Sequence, residues 1–161
     1  MYLFVLASLV ATGCDTDRIS KLEKENQELK AKIEKSNAAQ DYDLQARCAK
    51  DARAWFNQSY SRDSQTDLLD YTNHYNKSLN KCFATVEYHF RMAPKDPSWM
   101  NDMSLWDIYE NSQYGKFLES HTIDLNLKGG TADHIVTCEV AGSKCKTIDE
   151  YNGLVQPYLN N

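Results

Sequence analysis

The chain has 161 residues and a formal net charge of -5, and it is 42% hydrophobic, 25% charged and 11% aromatic. That balance fits one folded domain, or two at most, and excludes an intrinsically disordered chain. The negative charge leaves no broad electrostatic footprint for nucleic acid and no attraction to anionic headgroups, so nucleic acid is not an expected partner and any membrane tie needs another device.

Residues 1–13 read M-Y-L-F-V-L-A-S-L-V-A-T-G, without a charge. The run is too short for a transmembrane helix, which needs about 20 residues, and has the size of a signal-peptide core. It ends in Val10-Ala11-Thr12-Gly13-Cys14. This stretch resembles the lipobox of bacterial membrane lipoproteins, with small residues before a cysteine. Ala11 stands where that family prefers Leu. Its signals also open with Lys or Arg, and none precedes the apolar run, so the start codon is expected upstream of Met1.

The resemblance implies that Cys14 carries a diacylglycerol thioether, that the signal 1–13 is removed, and that acyl chains hold the mature chain to a membrane. Each buried methylene contributes about 0.8 kcal/mol to such an anchor. Asp15, directly after the cysteine, resembles the retention signal of enteric-type lipoproteins. The expected address is therefore the periplasmic face of the cell envelope, with the inner membrane favoured over the outer. The alternative reading is a buried N-terminal strand with an incidental cysteine.

Arg18 to Asn37 has no Gly or Pro and many strong helix formers. Ile19, Leu22, Asn26, Leu29 and Ile33 recur at threes and fours, a heptad seam with Ile at a and Leu at d. One Asn at a fixes register, and Glu25 with Lys30 and Arg18 with Glu23 are attractive across a parallel pair. The expectation is a short coiled-coil stalk over 14–40 that makes a parallel homodimer, with a monomeric helical spacer as the alternative. Ser36 to Gln40 reads as a linker.

The globular domain is expected over 41–161. Asp43 can cap a helix to about Tyr60, with Leu44, Cys48, Ala52, Trp55, Phe56 and Tyr60 on one stripe. A second helix is expected from Thr66 to about Phe90, with Leu68, Tyr71, Tyr75, Leu79, Cys82, Phe83, Val86 and Phe90 on its stripe. Pro94 and Pro97 mark a loop, and Ser104 opens a third helical stretch that Gly115 interrupts. His121–Leu127 and His134–Val140 read as strands around Gly129-Gly130. Thr147-Ile148-Asp149-Glu150 is a capping box that starts a final helix with Tyr151, Leu154 and Val155. The expected class is α+β, mostly α: a disulfide-stapled helical hairpin, a small β-hairpin and a C-terminal helix.

Apart from Cys14 the cysteines are Cys48, Cys82, Cys138 and Cys145, an even set that reads as two disulfides in an exported chain. Across the expected helical hairpin, Cys48 and Cys82 fall within about one turn of each other. Cys138 and Cys145 flank a turn. The local pairing Cys48–Cys82 with Cys138–Cys145 is preferred over Cys48–Cys138 with Cys82–Cys145.

No phosphate-binding glycine loop, nucleophile elbow, zinc-protease motif or C-x-x-C occurs, so no catalytic residue, cofactor or metal is expected. His74 reads as a partly exposed helix residue. His121 and His134 become neighbours if their strands pair, and two histidines alone make a weak metal site. Asp102, Asp107 and Glu110 lie near Trp99 and Trp106, and paired carboxylates beside aromatics are what glycan cleavage needs. They are also what a solvated helix face looks like. The expected function is a non-enzymatic module that binds an envelope protein. The alternative is a periplasmic hydrolase, or a glycan or ligand binder, that uses the Trp99–Glu110 region. The resemblance to small envelope lipoproteins implies an address and no particular chemistry.

Overall fold

The computed structural model describes residues 13–93, 97–124 and 130–160. The expected signal lies outside them up to Thr12, as do Pro94, Leu125, Leu127 and Gly129 and the side chain of Cys14. Two compact units are present, Met1–Tyr42 and Asp43–Asn161.

Helix α1, Gly13–Ser59, runs through both units. Ser36 to Gln40 is helical because it holds no Gly or Pro to break the ladder. In the first unit, residues 16–40 are all exposed. No coiled coil is evident in the single chain, and the expected seam stands open.

The second unit corrects the expected fold class. Residues 66–124, read largely as helix, form strands β1 (Thr66–Asn76), β2 (Lys81–Arg91), β3 (Trp99–Asp107) and β4 (Ser112–Asp124). Strands β5 (Gly130–Val140) and β6 (Ser143–Lys144) follow, and helix α2 (Ile148–Leu159) closes the chain. The six strands form one antiparallel sheet in chain order. The helical stripe through Leu68, Tyr71 and Tyr75 was one of two periods in the same residues. Leu69, Tyr71, Asn73 and Tyr75 alternate equally well, as do Cys82, Ala84, Val86 and Tyr88. The wealth of Tyr, Thr, Val and Phe decides for strands.

Two turns that went unread complete the correction. Asn80 and Asn111 adopt φ of 52° and 49°, in the left-handed region that asparagine tolerates better than most side chains. The first turn joins β1 to β2 and is braced by Leu79 N–H donating to Asn76 Oδ1 (2.9 Å) and Tyr75 Oη donating to Asn80 Oδ1 (2.6 Å). The second joins β3 to β4, so the expected third helix is also two strands.

Residues paired across strands share a face, and the register sorts the core into two clusters. On one face, Tyr75, Cys82 and Ala84 are buried with Cys48 and Ala52 from the last turns of α1. On the other, Phe83, Leu105, Phe117, Cys138 and Val140 are buried with Tyr151 and Val155 of α2. The sheet is thus covered by a helix on each side. Each large side chain removed from water here contributes roughly 1.5–3 kcal/mol. Gly115 belongs to the second face because a Cβ there would lie 3.0 Å from Val140 Cγ2.

Both disulfides have the preferred pairing, with Cα separations of 5.5 Å for Cys48–Cys82 and 5.0 Å for Cys138–Cys145. The first joins α1 to β2 rather than one helix to another. The second closes the turn between β5 and β6, where Ala141 and Gly142 both have positive φ. The last helix starts as expected. Thr147 is its N-cap and accepts from Glu150 N–H (3.1 Å), while Glu150 reaches back to Lys146 N–H (2.7 Å).

Candidate functional site

Strand alternation divides the Trp99–Glu110 region. Trp99, Asn101, Met103, Leu105 and Asp107 face α2, whereas Asp102, Ser104 and Trp106 face α1. Asp107 is fully buried and takes Lys81 Nζ at 2.5 Å, and the same ammonium reaches Glu110 at 2.7 Å. Asp107 Oδ1 also accepts from the backbone of Tyr109 and Glu110. The lysine is held above its ordinary range, first by Asp107 and then by Glu110. This is a clamp on the β3–β4 turn. Asp102 lies on the opposite face, paired with Lys116 at 3.0 Å. The three carboxylates do not converge on one space.

The histidines separate in the same way. His121 pairs in register with Asp133, and Ser120 with His134, so His121 and His134 sit on neighbouring strands but on opposite faces. His121 Nδ1 lies 2.7 Å from Asp133, its Nε2 lies 3.1 Å from Glu119, and its ring stacks on Trp99 at 3.6 Å. His89 stacks on Trp99 at 5.5 Å. His74 is on β1, not on a helix, and its Nε2 is buried without a hydrogen-bond partner. Among the described residues no three His, Cys, Asp or Glu side chains are placed to hold one metal ion.

The concave places on the sheet include two beside its helices. The first, about 130 Å³, lies beside the end of α1 and is lined by Tyr60, Tyr88, Asp102, Ser104, Trp106 and Lys116 among others. Trp106 Nε1 donates to Ser104 Oγ (2.9 Å), and Trp55 lies 5.7 Å from the Trp106 ring. Burial raises the Tyr60 phenol, against the lowering effect of its hydrogen bond with Ser104, and the Asp102 charge adds to the rise.

The second place, about 150 Å³, lies between α2 and strands β1 to β3. Met103, Val155 and Leu159 form apolar wall, while Thr72 and Thr85 present hydroxyls 2.6 Å apart. Tyr151 is only 1% exposed and lines this cavity, yet its hydroxyl has no hydrogen-bond partner. Burial raises its phenol well above the ordinary tyrosine range, and the Asp102 charge adds to the rise. Asp70 and Glu87 also line it, and no Lys, Arg or His is among the lining residues. Sequence reasoning named Tyr151 only as a residue of the final helix and passed over Thr72, Thr85 and Glu87, because without the sheet nothing brings β1, β2 and α2 together.

No family model matches the chain, and neither the curated proteins nor the solved structures contain a match.

Proposed function

We propose that the chain is a lipid-anchored protein of the bacterial cell envelope, exported to the periplasmic side and acting by binding rather than by catalysis. The observation that carries this reading is the pairing of the cysteines. Four of the five are joined within the folded unit, which suits an oxidising compartment. The one left over, Cys14, closes the apolar run with lipobox spacing. Asp15 favours the inner membrane. Binding is preferred to hydrolysis because Asp102 and Asp107 lie on opposite faces of the sheet and Asp107 is committed to Lys81.

The partners we propose are the membrane, an envelope protein, and a second copy of this chain. The copy pairs in parallel through Ile19, Leu22, Asn26, Leu29 and Ile33. In the single chain Ile19, Leu22, Leu29 and Ile33 are 54%, 50%, 55% and 58% exposed. Shared tethering to one bilayer raises local concentration enough to favour so short a helix pair.

Replacing Cys14 with Ser tests the anchor. The variant is expected to move from the membrane fraction to the soluble fraction while its folded unit is unchanged, and retention in the membrane fraction contradicts the reading. A second reading, an envelope-glycan binder, is favoured by Tyr60, Tyr88 and Trp106 lining one cavity with Asp102 and Lys116. Titration with envelope glycan fragments that leaves tryptophan fluorescence unchanged removes it.

A further inference from the structure

The core cluster beneath α1 draws on α1, β1, β2, β3 and the β3–β4 turn; among the described residues it includes none from β4 or β5. On the α1 face those two strands carry polar side chains instead. Register runs two rows of side chains across this face, Tyr88, Asp102, Leu118 and Thr137 in one and Val86, Ser104, Lys116 and Glu139 in the other. The cavity beside the end of α1 occupies the β2–β3 end of the rows. A more open hollow of about 270 Å³ occupies the other end, with Thr137 and Glu139 in its lining. Gln113 and Lys116 line both, so the two form one trough. Four strands at their usual spacing span about 14 Å, which exceeds a single sugar ring.

We propose that this trough binds a linear, uncharged oligosaccharide. The inference rests on the envelope-glycan reading and deepens it by naming the length and charge of the ligand. Tyr60, Tyr88 and Trp106 make one end aromatic, and the negative face of an aromatic ring attracts the slightly positive C–H groups on the flat side of a sugar. Farther along, Gln113 and Thr137 both donate and accept, as sugar hydroxyls do. The charges of the trough are already balanced, since Lys116 pairs with Asp102 at 3.0 Å and Glu139 pairs with Lys144. An uncharged ligand leaves both pairs in place, whereas a strongly charged one competes with them. One ring sits at the aromatic end, and the rings that follow pass over Lys116 and Gln113 toward Thr137 and Glu139.

The test uses the full chain with its disulfides intact, titrated by NMR with N-acetylglucosamine and, separately, with its linear trimer. The trimer is expected to bind about tenfold more tightly, with saturable shifts that run from Tyr88 and Trp106 to Thr137 and Glu139. Thr137→Tyr fills the open hollow from a half-exposed position. It should remove the advantage of the trimer and leave the affinity for the single sugar unchanged. Gln113→Ala, an exposed change where the two hollows meet, should reduce that advantage by about two- to fivefold, and it decides the question if Thr137→Tyr does not fold. A trimer that gains no more than about threefold, the statistical share of three equivalent rings, overturns the extended trough and leaves the single-cavity glycan reading standing. An advantage that survives Thr137→Tyr also overturns it. Absence of binding by either sugar overturns the inference and the glycan reading together.

Discussion

Tyr151 carries two unrelated demands. Its ring packs 5.7 Å from Phe117 in the core on the α2 side, while its hydroxyl lies buried without a partner. Removing only the hydroxyl should therefore leave the protein as stable as before, or slightly more so. The phenol also sets an alkaline limit. Its folded pKa is raised, so the folded state keeps its proton where the unfolded chain loses it. The stabilisation is complete below the ordinary value of 10.0 and is lost as pH rises through the folded value. Urea unfolding at a series of pH values should show stability falling above pH 10.0, with a shallower fall in Tyr151→Phe. Equal slopes in the two proteins contradict the assignment. Tyr60 and Lys81, raised in the same direction, contribute to the part of the slope that remains.

At the scale of elements, the turns decide what the intervening residues become. Asn76 to Asn80 converts a segment with helical spacing into a hairpin, because Asn80 holds φ of 52°. A β-branched residue adopts that region at a cost of about 1–3 kcal/mol. Both Asn80→Val and Asn80→Gly lose the bond from Tyr75 Oη, but only valine meets the cost of the left-handed region, so Asn80→Val should be less stable than Asn80→Gly by about 1–3 kcal/mol in thermal unfolding; equal losses contradict the turn. This is also where sequence reasoning ran out. The C-terminal helix was legible because Thr147 and Glu150 are local signals, satisfied within one turn of chain. The hairpin of β5 and β6 was legible at Ala141-Gly142 for the same reason. The Cys48–Cys82 bond was expected for a reason that does not hold. The two cysteines are near because α1 lies across the sheet, not because two helices run antiparallel. Strands β1 to β4 were not legible, since threes-and-fours and alternation coexist in residues 66–90 and the sheet pairing that chooses between them is long-range. The cavity beneath α2 was hidden with them.

At the scale of the molecule, the described part of the first unit is a helix with an open apolar stripe, and the second unit is a sheet with a helix on each face and a disulfide in each core cluster. The stripe is exposed in the single chain, and Asn26 lies within it. If a second copy covers it, Asn26→Val should strengthen self-association and relax its stoichiometry, as seen by sedimentation of the detergent-solubilised protein. A strictly monomeric native protein and variant remove the dimer and leave a spacer. The address of the molecule is separate from that question and rests on Cys14. It is tested most directly by intact and peptide mass spectrometry of the membrane-fraction protein, with and without reductant. The account predicts a chain beginning at Cys14, diacylglycerol mass on that cysteine, and peptides linked as Cys48–Cys82 and Cys138–Cys145. An unmodified Cys14 together with four free thiols would contradict it.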